Sequence, residues 1–329
     1  MKMAVIGSGT WGTAFARLMA NDGNDVLLVC RGAEQAAAIN AYHRNPRYLF
    51  DIALPENLVA VDNACADLSA AAVVAIAVPS HAFSTVIEGI GERMSRDAVL
   101  LSMTKGLDPS SGKRLSEVAG AQLGPRRVAV LSGPNHAEEV AHDFPMASVV
   151  AAADIELARE LQAAISSRLV RVYASRDVVG VELCGASKNV IGLTAGISDG
   201  LGFGDNAKAA IITRGMAEMY RLGTAFGADA RTYSGMAGMG DLVATCTSRH
   251  SRNRRAGELL AQGVPAGWIE SEIGQVAEGL TTAPVLREIA RGRGLELPIT
   301  DAVCEIAFDR KEPLQALAEL MARTDPVEE

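Results

Sequence analysis

Gly7-Ser8-Gly9-Thr10-Trp11-Gly12 places glycines at GxGxxG spacing, after the apolar run Met3 to Ile6 and ahead of an amphipathic segment from Thr13 to Asn21. Strand, turn and helix in that order is the context in which such a loop binds a dinucleotide. Gly7 permits the tight turn, Gly9 lets the backbone approach a pyrophosphate, and Gly12 lets the helix pack on the strand. The phosphates then meet a helix N-terminus, whose free N–H groups favour an anion. A second apolar run, Val26 to Cys30, ends at Arg31. An acidic residue at that place holds the ribose 2′-hydroxyl of NAD, whereas a basic one tolerates the 2′-phosphate of NADP. Arg31 therefore leaves NADP open, unless it is only a solvated arginine after a strand.

A different chemistry is written between Gly180 and Asn206. Leu183, Val190, Ile191, Thr194 and Ile197 recur at helical spacing, while Glu182, Gly185, Lys188 or Asn189, Gly192 and Gly196 fall on another face. Each interior glycine costs a helix about 1 kcal/mol relative to alanine, so a stripe of them needs a compensating gain. Close approach supplies it, either of another helix backbone or of a ligand lying against Lys188 and Asn189. The competing reading sends Lys188 past a tight helix crossing into solvent.

Positive charge is concentrated further on, where Asp241 to Arg255 contains Arg249, Arg252, Arg254 and Arg255 among serine, threonine and asparagine. Guanidinium forks bind a phosphate monoester bidentately. The alternative is a basic helix face turned to water. The formal net charge of -8 gives no support to nucleic-acid binding, and an acidic protein that binds an anion must gather its cations locally. Lys105 directly follows the apolar run Val99 to Ser102, which puts it at the ligand edge of a sheet or in a surface loop.

These groups need elements to position them. At 329 residues, with 49% hydrophobic and 21% charged, the chain has material for two cores. Strands are expected at Leu58 to Val61, Val73 to Val78, Val99 to Ser102, Val128 to Ser132, Ser148 to Ala152 and Leu169 to Val172, separated mostly by helix-like stretches. The apolar stretch Ser69 to Val78 reads as a buried strand. The alternation predicts an α/β chain: an N-terminal Rossmann-type, doubly wound parallel sheet over residues 1–174, with ligands beyond the strand C-termini. From 175 to 329 the strand pattern gives way to an all-α domain. There Asp205 or Asn206 is expected to cap a helix reaching about Phe226, Asp229 to Gly240 reads as a glycine-punctuated connection, and Gly274 to Gly279 as a turn. Helices continue to about Met321, and Arg323 to Glu329 read as a frayed tail. Five scattered cysteines without a CxxC suggest neither a disulfide framework nor a zinc site and suit a reducing cytoplasm. Gly7, Gly9, Gly12 and Arg17 interrupt what would otherwise imitate a signal peptide, and no run is long enough to span a membrane.

With these residues in place, the chain closely resembles the bacterial NAD(P)-dependent glycerol-3-phosphate dehydrogenases. The resemblance is carried by GSGTWG, NPRYL at 45 to 49, TKG at 104 to 106, SGPNHAEEV at 132 to 140, KNVI at 188 to 191, DGLGFGDNAKAA at 199 to 210 and GDLVATCTSRHSRNRR at 240 to 255. It implies reduction of dihydroxyacetone phosphate to sn-glycerol 3-phosphate with NADH or NADPH, for phospholipid synthesis, by a cytoplasmic homodimer. By position it implies dinucleotide contacts from Thr10, Trp11, Arg31, Lys105, Ala137, Arg252, Val276 and Glu278. The substrate would be surrounded by Lys105, Gly133, Asn135, Lys188, Asp241, Ser251, Arg252 and Asn253. Lys188 would be the proton acceptor, Asp241 its orienting partner, and Asn189 and Thr245 further hydrogen-bonding groups. The chain departs from the family pattern at Asn135, Cys184, Ser187 and Ala277. No metal is expected, since no HExxH or clustered ligand set is present. The nearest rival is a two-domain dehydrogenase of another small ketone or alcohol.

Overall fold

The apolar runs become the strands β1 (Lys2–Ile6), β2 (Asp25–Cys30), β3 (Leu58–Asp62), β4 (Val73–Ile76), β5 (Val99–Ser102), β6 (Val128–Ser132), β7 (Met146–Ala152) and β8 (Val170–Ser175). They form one sheet in the order β3-β2-β1-β4-β5-β6-β7-β8, in a computed structural model that describes residues 1–124 and 126–322. Side chains alternate between its two faces. Met3, Val5, Leu28, Val73, Ala75 and Leu101 join one core with Phe15, while Ala4, Ile6, Val74, Ile76 and Leu100 join another with Phe83. Burial on both faces is why these strands read as continuous apolar runs. The helices of this part are α1 (Thr10–Asn21), α2 (Ala33–Tyr42), α3 (Ser80–Ile90), α4 (Leu115–Leu123), α5 (Ala137–Ala141) and α6 (Ile155–Ile165).

The sheet is mostly parallel, as expected, with one reversal, and one strand expectation needs correction. The sheet is parallel from β3 through β6, but β7 runs antiparallel to β6, and β8 is parallel to β7. The connection from β6 holds only the short α5, which packs on α1 instead of carrying the chain back along the sheet. The stretch Ser69 to Val78 is strand only over Val73–Ile76. Its start folds into a turn in which the Ala71 N–H bonds the Leu68 carbonyl at 3.2 Å, and Pro79 opens α3 at its end.

Beyond β8 the chain is helical: α7 (Val178–Gly200), α8 (Asp205–Ala225), α9 (Ala230–Ser234), α10 (Asp241–Thr247), α11 (Arg252–Ala261), α12 (Ala266–Ile273), α13 (Glu278–Arg293), α14 (Pro298–Ala307) and α15 (Pro313–Ala322). Gly204, not Asp205 or Asn206, is the N-cap of α8, and Asp205 is its first residue. The glycine-punctuated connection Asp229 to Gly240 is built of two short helical pieces. Asp229 caps α9 by accepting from the Arg231 N–H, and Met236–Gly240 forms a π-helical turn leading into α10. Gly274 ends α12 in the left-handed region, as a turn there requires. The expected frayed tail lies outside the described residues. Compact units comprise Met1–Glu182 and Leu183–Glu329, and all five cysteines are free.

The glycine stripe of α7 is used for helix contact. A methyl group added at Gly196 would lie 1.9 Å from the Arg254 carbonyl oxygen, and one at Gly257 would lie 2.0 Å from that of Leu193. One at Gly192 would meet Thr245 Cγ2 at 2.7 Å. Helices α7 and α11 therefore touch backbone to backbone, and Lys188, 6% exposed, points inward and not to solvent.

Candidate active site

In the first unit the loop after β1 separates its glycines by task. Gly7 has φ +107°, and a Cβ there would lie 2.6 Å from the Ala77 carbonyl oxygen; a Cβ at Gly12 would lie 1.9 Å from that of Gly7. At Gly9 a Cβ would meet nothing within 4 Å. The first and third glycines thus serve the chain itself, and the second faces open space. Helix α1 has no side-chain cap and no acidic residue in its first turn. That combination fits a dinucleotide pyrophosphate, because a helix N-terminus without an acidic residue of its own favours an anion. Thr10 is buried as the first residue of α1, and Trp11 packs on Phe15 with ring centroids 5.9 Å apart. Arg31 is exposed at the tip of β2.

Lys105 follows β5, as expected, and its direction is now defined. Its Nζ donates to the Gly133 carbonyl at 2.8 Å and to Asn135 Oδ1 at 2.7 Å. Asn135, one of the departures from the family pattern, thus holds the lysine. Among the described residues its buried Nδ2 has no hydrogen-bond partner, and neither have the buried hydroxyls of Ser132 and Ser148. Gly133 has φ +143°, and a Cβ there would lie 2.9 Å from Ser148 Cα, so no side chain fits. Ala137 is the buried first residue of α5. Glu182, from the α7 stripe, accepts from the Arg114 guanidinium and the Ser116 N–H, both at 2.8 Å. Burial pushes its carboxyl above the usual range against those bonds.

In the second unit the π-turn delivers Asp241 at the start of α10, and one turn later Thr245 comes to the same face. Lys188 Nζ donates to Asp241 Oδ1 at 2.8 Å and to Thr245 Oγ1 at 2.6 Å. Asp241 is 2% exposed. An ammonium has three donors, and the third has no protein acceptor among the described residues. Cys246 lies close by, but burial pushes its thiol up to about 12, which keeps it protonated and inert. The departures at Cys184 and Ser187 are absorbed locally: Cys184 is core, and the Ser187 hydroxyl donates to the Leu183 carbonyl.

Asn189 and Asn253 form a strut that the sequence did not announce. Asn253 Nδ2 donates to Asn189 Oδ1 at 2.9 Å, and Asn253 Oδ1 accepts the Gly279 N–H at 2.8 Å. Asn253 is thus bound into α7 and α13, and its carbonyl oxygen is committed to the fold. The arginine cluster also divides. Arg254 bonds Asp199 at 2.6 Å and Glu258 at 3.0 Å, and Arg255 bonds Glu258 at 3.0 Å. Arg249 contacts His250. Arg252 is the exposed first residue of α11 and has no ion pair among the described residues. Ser251 caps that helix by accepting the Arg254 N–H at 3.2 Å. Val276 and Glu278 are half-buried at the start of α13.

Among the described residues, α11 thus opens on a guanidinium without an ion pair, suited to an anion, and Lys188 is a buried ammonium with one donor to spare. Among the described residues, no three His, Cys, Asp or Glu side chains are grouped to hold a metal ion, and no helix is long and apolar enough to cross a membrane. Residues 2–158 match the family model for the N-terminus of NAD-dependent glycerol-3-phosphate dehydrogenase, and residues 177–318 match that for its C-terminus. The glycerol-3-phosphate dehydrogenase [NAD(P)+] of Geobacillus kaustophilus is 43% identical, over 98% of this chain and 94% of its own. That of Streptomyces griseus is 45% identical, over 98% and 97%. The crystal structure of glycerol-3-phosphate dehydrogenase from Coxiella burnetii superposes with a TM-score of 0.93 at 38% identity, covering 98% of this chain and 99% of that one. The chain belongs to the NAD-dependent glycerol-3-phosphate dehydrogenase family.

Proposed function

We propose that this protein is an NAD(P)-dependent dehydrogenase that interconverts dihydroxyacetone phosphate and sn-glycerol 3-phosphate. The observation that carries the reading is the buried Lys188, held by Asp241 and Thr245 with one ammonium hydrogen left over. The bound dinucleotide supplies the hydride for the carbonyl carbon. As the carbonyl oxygen gains charge, the Lys188 ammonium stabilises it and passes it a proton. In the oxidative direction neutral Lys188 takes the hydroxyl proton. Asp241 orients the lysine, and Lys105, set by Gly133 and Asn135, is assigned to the substrate as a second cation. Arg252, with the Ser251 hydroxyl beside it, receives the phosphate monoester.

We assign the dinucleotide to Gly7, Gly9, Thr10, Trp11, Gly12, Arg31, Lys105, Ala137, Arg252, Val276 and Glu278. Residues 1–174 are read as the dinucleotide-binding domain and 175–329 as the substrate domain. The same reading makes the protein a cytoplasmic homodimer that supplies glycerol 3-phosphate to phospholipid synthesis. Oxidation of NADH and NADPH on addition of dihydroxyacetone phosphate, followed by absorbance, tests the activity. Absence of turnover with this ketone, alongside turnover of another, would sink it.

Arg31 sets an expectation about the cofactor. It is exposed at the tip of β2. NADPH should therefore be used at least comparably to NADH, and Arg31→Asp should shift the ratio of kcat/KM values towards NADH. A wild-type enzyme indifferent to NADPH would refute this.

A further inference from the structure

The NPRYL segment lies in the loop between α2 and β3, and its asparagine reaches into the glycine loop. Asn45 is 0% exposed. Its Nδ2 donates to the Ser8 carbonyl at 2.9 Å and to Thr13 Oγ1 at 2.8 Å. The same carbonyl accepts from Thr13 Oγ1 and from Gln35 Nε2, each at 3.3 Å. Three side chains thus converge on one peptide oxygen. The Ser8 hydroxyl adds a bond to Gln35 Oε1 at 3.0 Å. On its other side Asn45 holds its own loop, with Oδ1 accepting the Arg47 N–H at 3.3 Å and its carbonyl accepting the Leu49 N–H at 3.0 Å.

In a planar trans peptide, the carbonyl of one residue and the N–H of the next point in opposite directions. Drawing the Ser8 oxygen inward therefore turns the Gly9 N–H outward. That N–H has no partner among the described residues, and the space beside Gly9 is open. We propose that Asn45 is a positioning residue for the dinucleotide: it locks the Ser8–Gly9 peptide so that the Gly9 N–H is presented, already oriented, to the pyrophosphate. Without the lock, that peptide must be ordered at the moment of binding, and affinity falls.

This rests on reading the glycine loop as the phosphate site, and the experiment separates the two. Binding of ADP-ribose, which carries the pyrophosphate, and of adenosine, which carries no phosphate, is measured for wild type, Asn45→Ala and Gly9→Ala. Asn45→Ala should weaken ADP-ribose about 10- to 100-fold, the worth of a charge-assisted hydrogen bond, and leave adenosine within about twofold. In the assay KM for the dinucleotide should rise by a similar factor, with kcat at saturation little changed. A merely structural asparagine would weaken both ligands alike, and that result overturns the inference, as does unchanged ADP-ribose affinity. Where Asn45→Ala fails to fold, Gln35→Ala takes its place: it removes another donor to Ser8 from a half-exposed position and should weaken ADP-ribose about threefold, with adenosine unchanged. Equal losses for both ligands, or none, overturn it there too. Gly9 has φ -72°, which alanine adopts without strain. Gly9→Ala with wild-type affinity for ADP-ribose would remove the loop reading and Asn45 with it; loss in Gly9→Ala but not in Asn45→Ala would remove Asn45 alone.

Discussion

Lys188→Met is expected to lower turnover by about 10²–10⁴, the range for a positioned acid or base, while leaving dinucleotide affinity nearly unchanged. Methionine keeps the apolar stem, so the loss reports the ammonium and not the packing. The substitution also removes one partner of a buried pair, since Lys188 and Asp241 lie 2.8 Å apart at 7% and 3% side-chain exposure. Breaking such a pair costs about 3–5 kcal/mol, because the remaining charge is left without compensation. A fall in melting temperature is therefore part of the expected result. Lys188→Met/Asp241→Asn removes that orphaned charge and should recover much of the melting temperature but none of the turnover. A folded single or double variant that turns over near the wild-type rate would dismiss Lys188 as the proton donor.

Arg252→Ala is expected to lower kcat/KM on dihydroxyacetone phosphate by about 30-fold to several thousand-fold, corresponding to about 2–5 kcal/mol for a charged pair that loses one member. Its neighbours are committed: Arg254 to Asp199 and Glu258, Arg255 to Glu258. Arg255→Ala should therefore change little. Arg254→Ala should act mainly through stability, by releasing Asp199, which then keeps Lys208 at 2.9 Å. Unphosphorylated dihydroxyacetone is the control, and its feeble turnover should barely respond to Arg252→Ala. Because Arg252 is also assigned to the dinucleotide, NAD(P)H affinity is measured in the same variant. Equal proportional losses on both ketones would assign Arg252 to the dinucleotide and refute it as the phosphate anchor.

The strands were legible because burial on both faces leaves continuous apolar runs such as Val73–Ile76, and the glycine loop because its context of strand and helix is local. The direction of β7 was not, since it depends on where α5 packs and not on the residues of β7. The π-turn before Asp241 adds a residue to a helical turn without any composition of its own beyond glycine density, so Asp229 to Gly240 read only as a glycine-punctuated connection. The arginine cluster showed that cations were gathered but not which were spoken for. That division depends on Asp199, which lies more than fifty residues earlier in the chain than Arg254. Asn253 entered the site only through the family resemblance, and the bonds of its amide to Asn189 and Gly279 were not legible because only the packed helices create them.

The glycine contact of α7 with α11 also makes the second unit a gauge of length. Lys188 stands on one helix and Arg252 opens the other, and no layer of side chains cushions them where Gly196 meets Arg254 and Gly257 meets Leu193. Backbones in van der Waals contact resist sliding apart or together to suit a guest, so the span from the proposed proton donor to the proposed phosphate anchor is expected to be stiff. On the proposed roles, selectivity would come from a fixed calliper and not from a pocket wall. A phosphorylated ketone with one more carbon between carbonyl and phosphate can satisfy Lys188 or Arg252 but not both, and its kcat/KM should fall about as far as that of Arg252→Ala on the native ketone; equal efficiency for the two lengths would mean that the calliper bends.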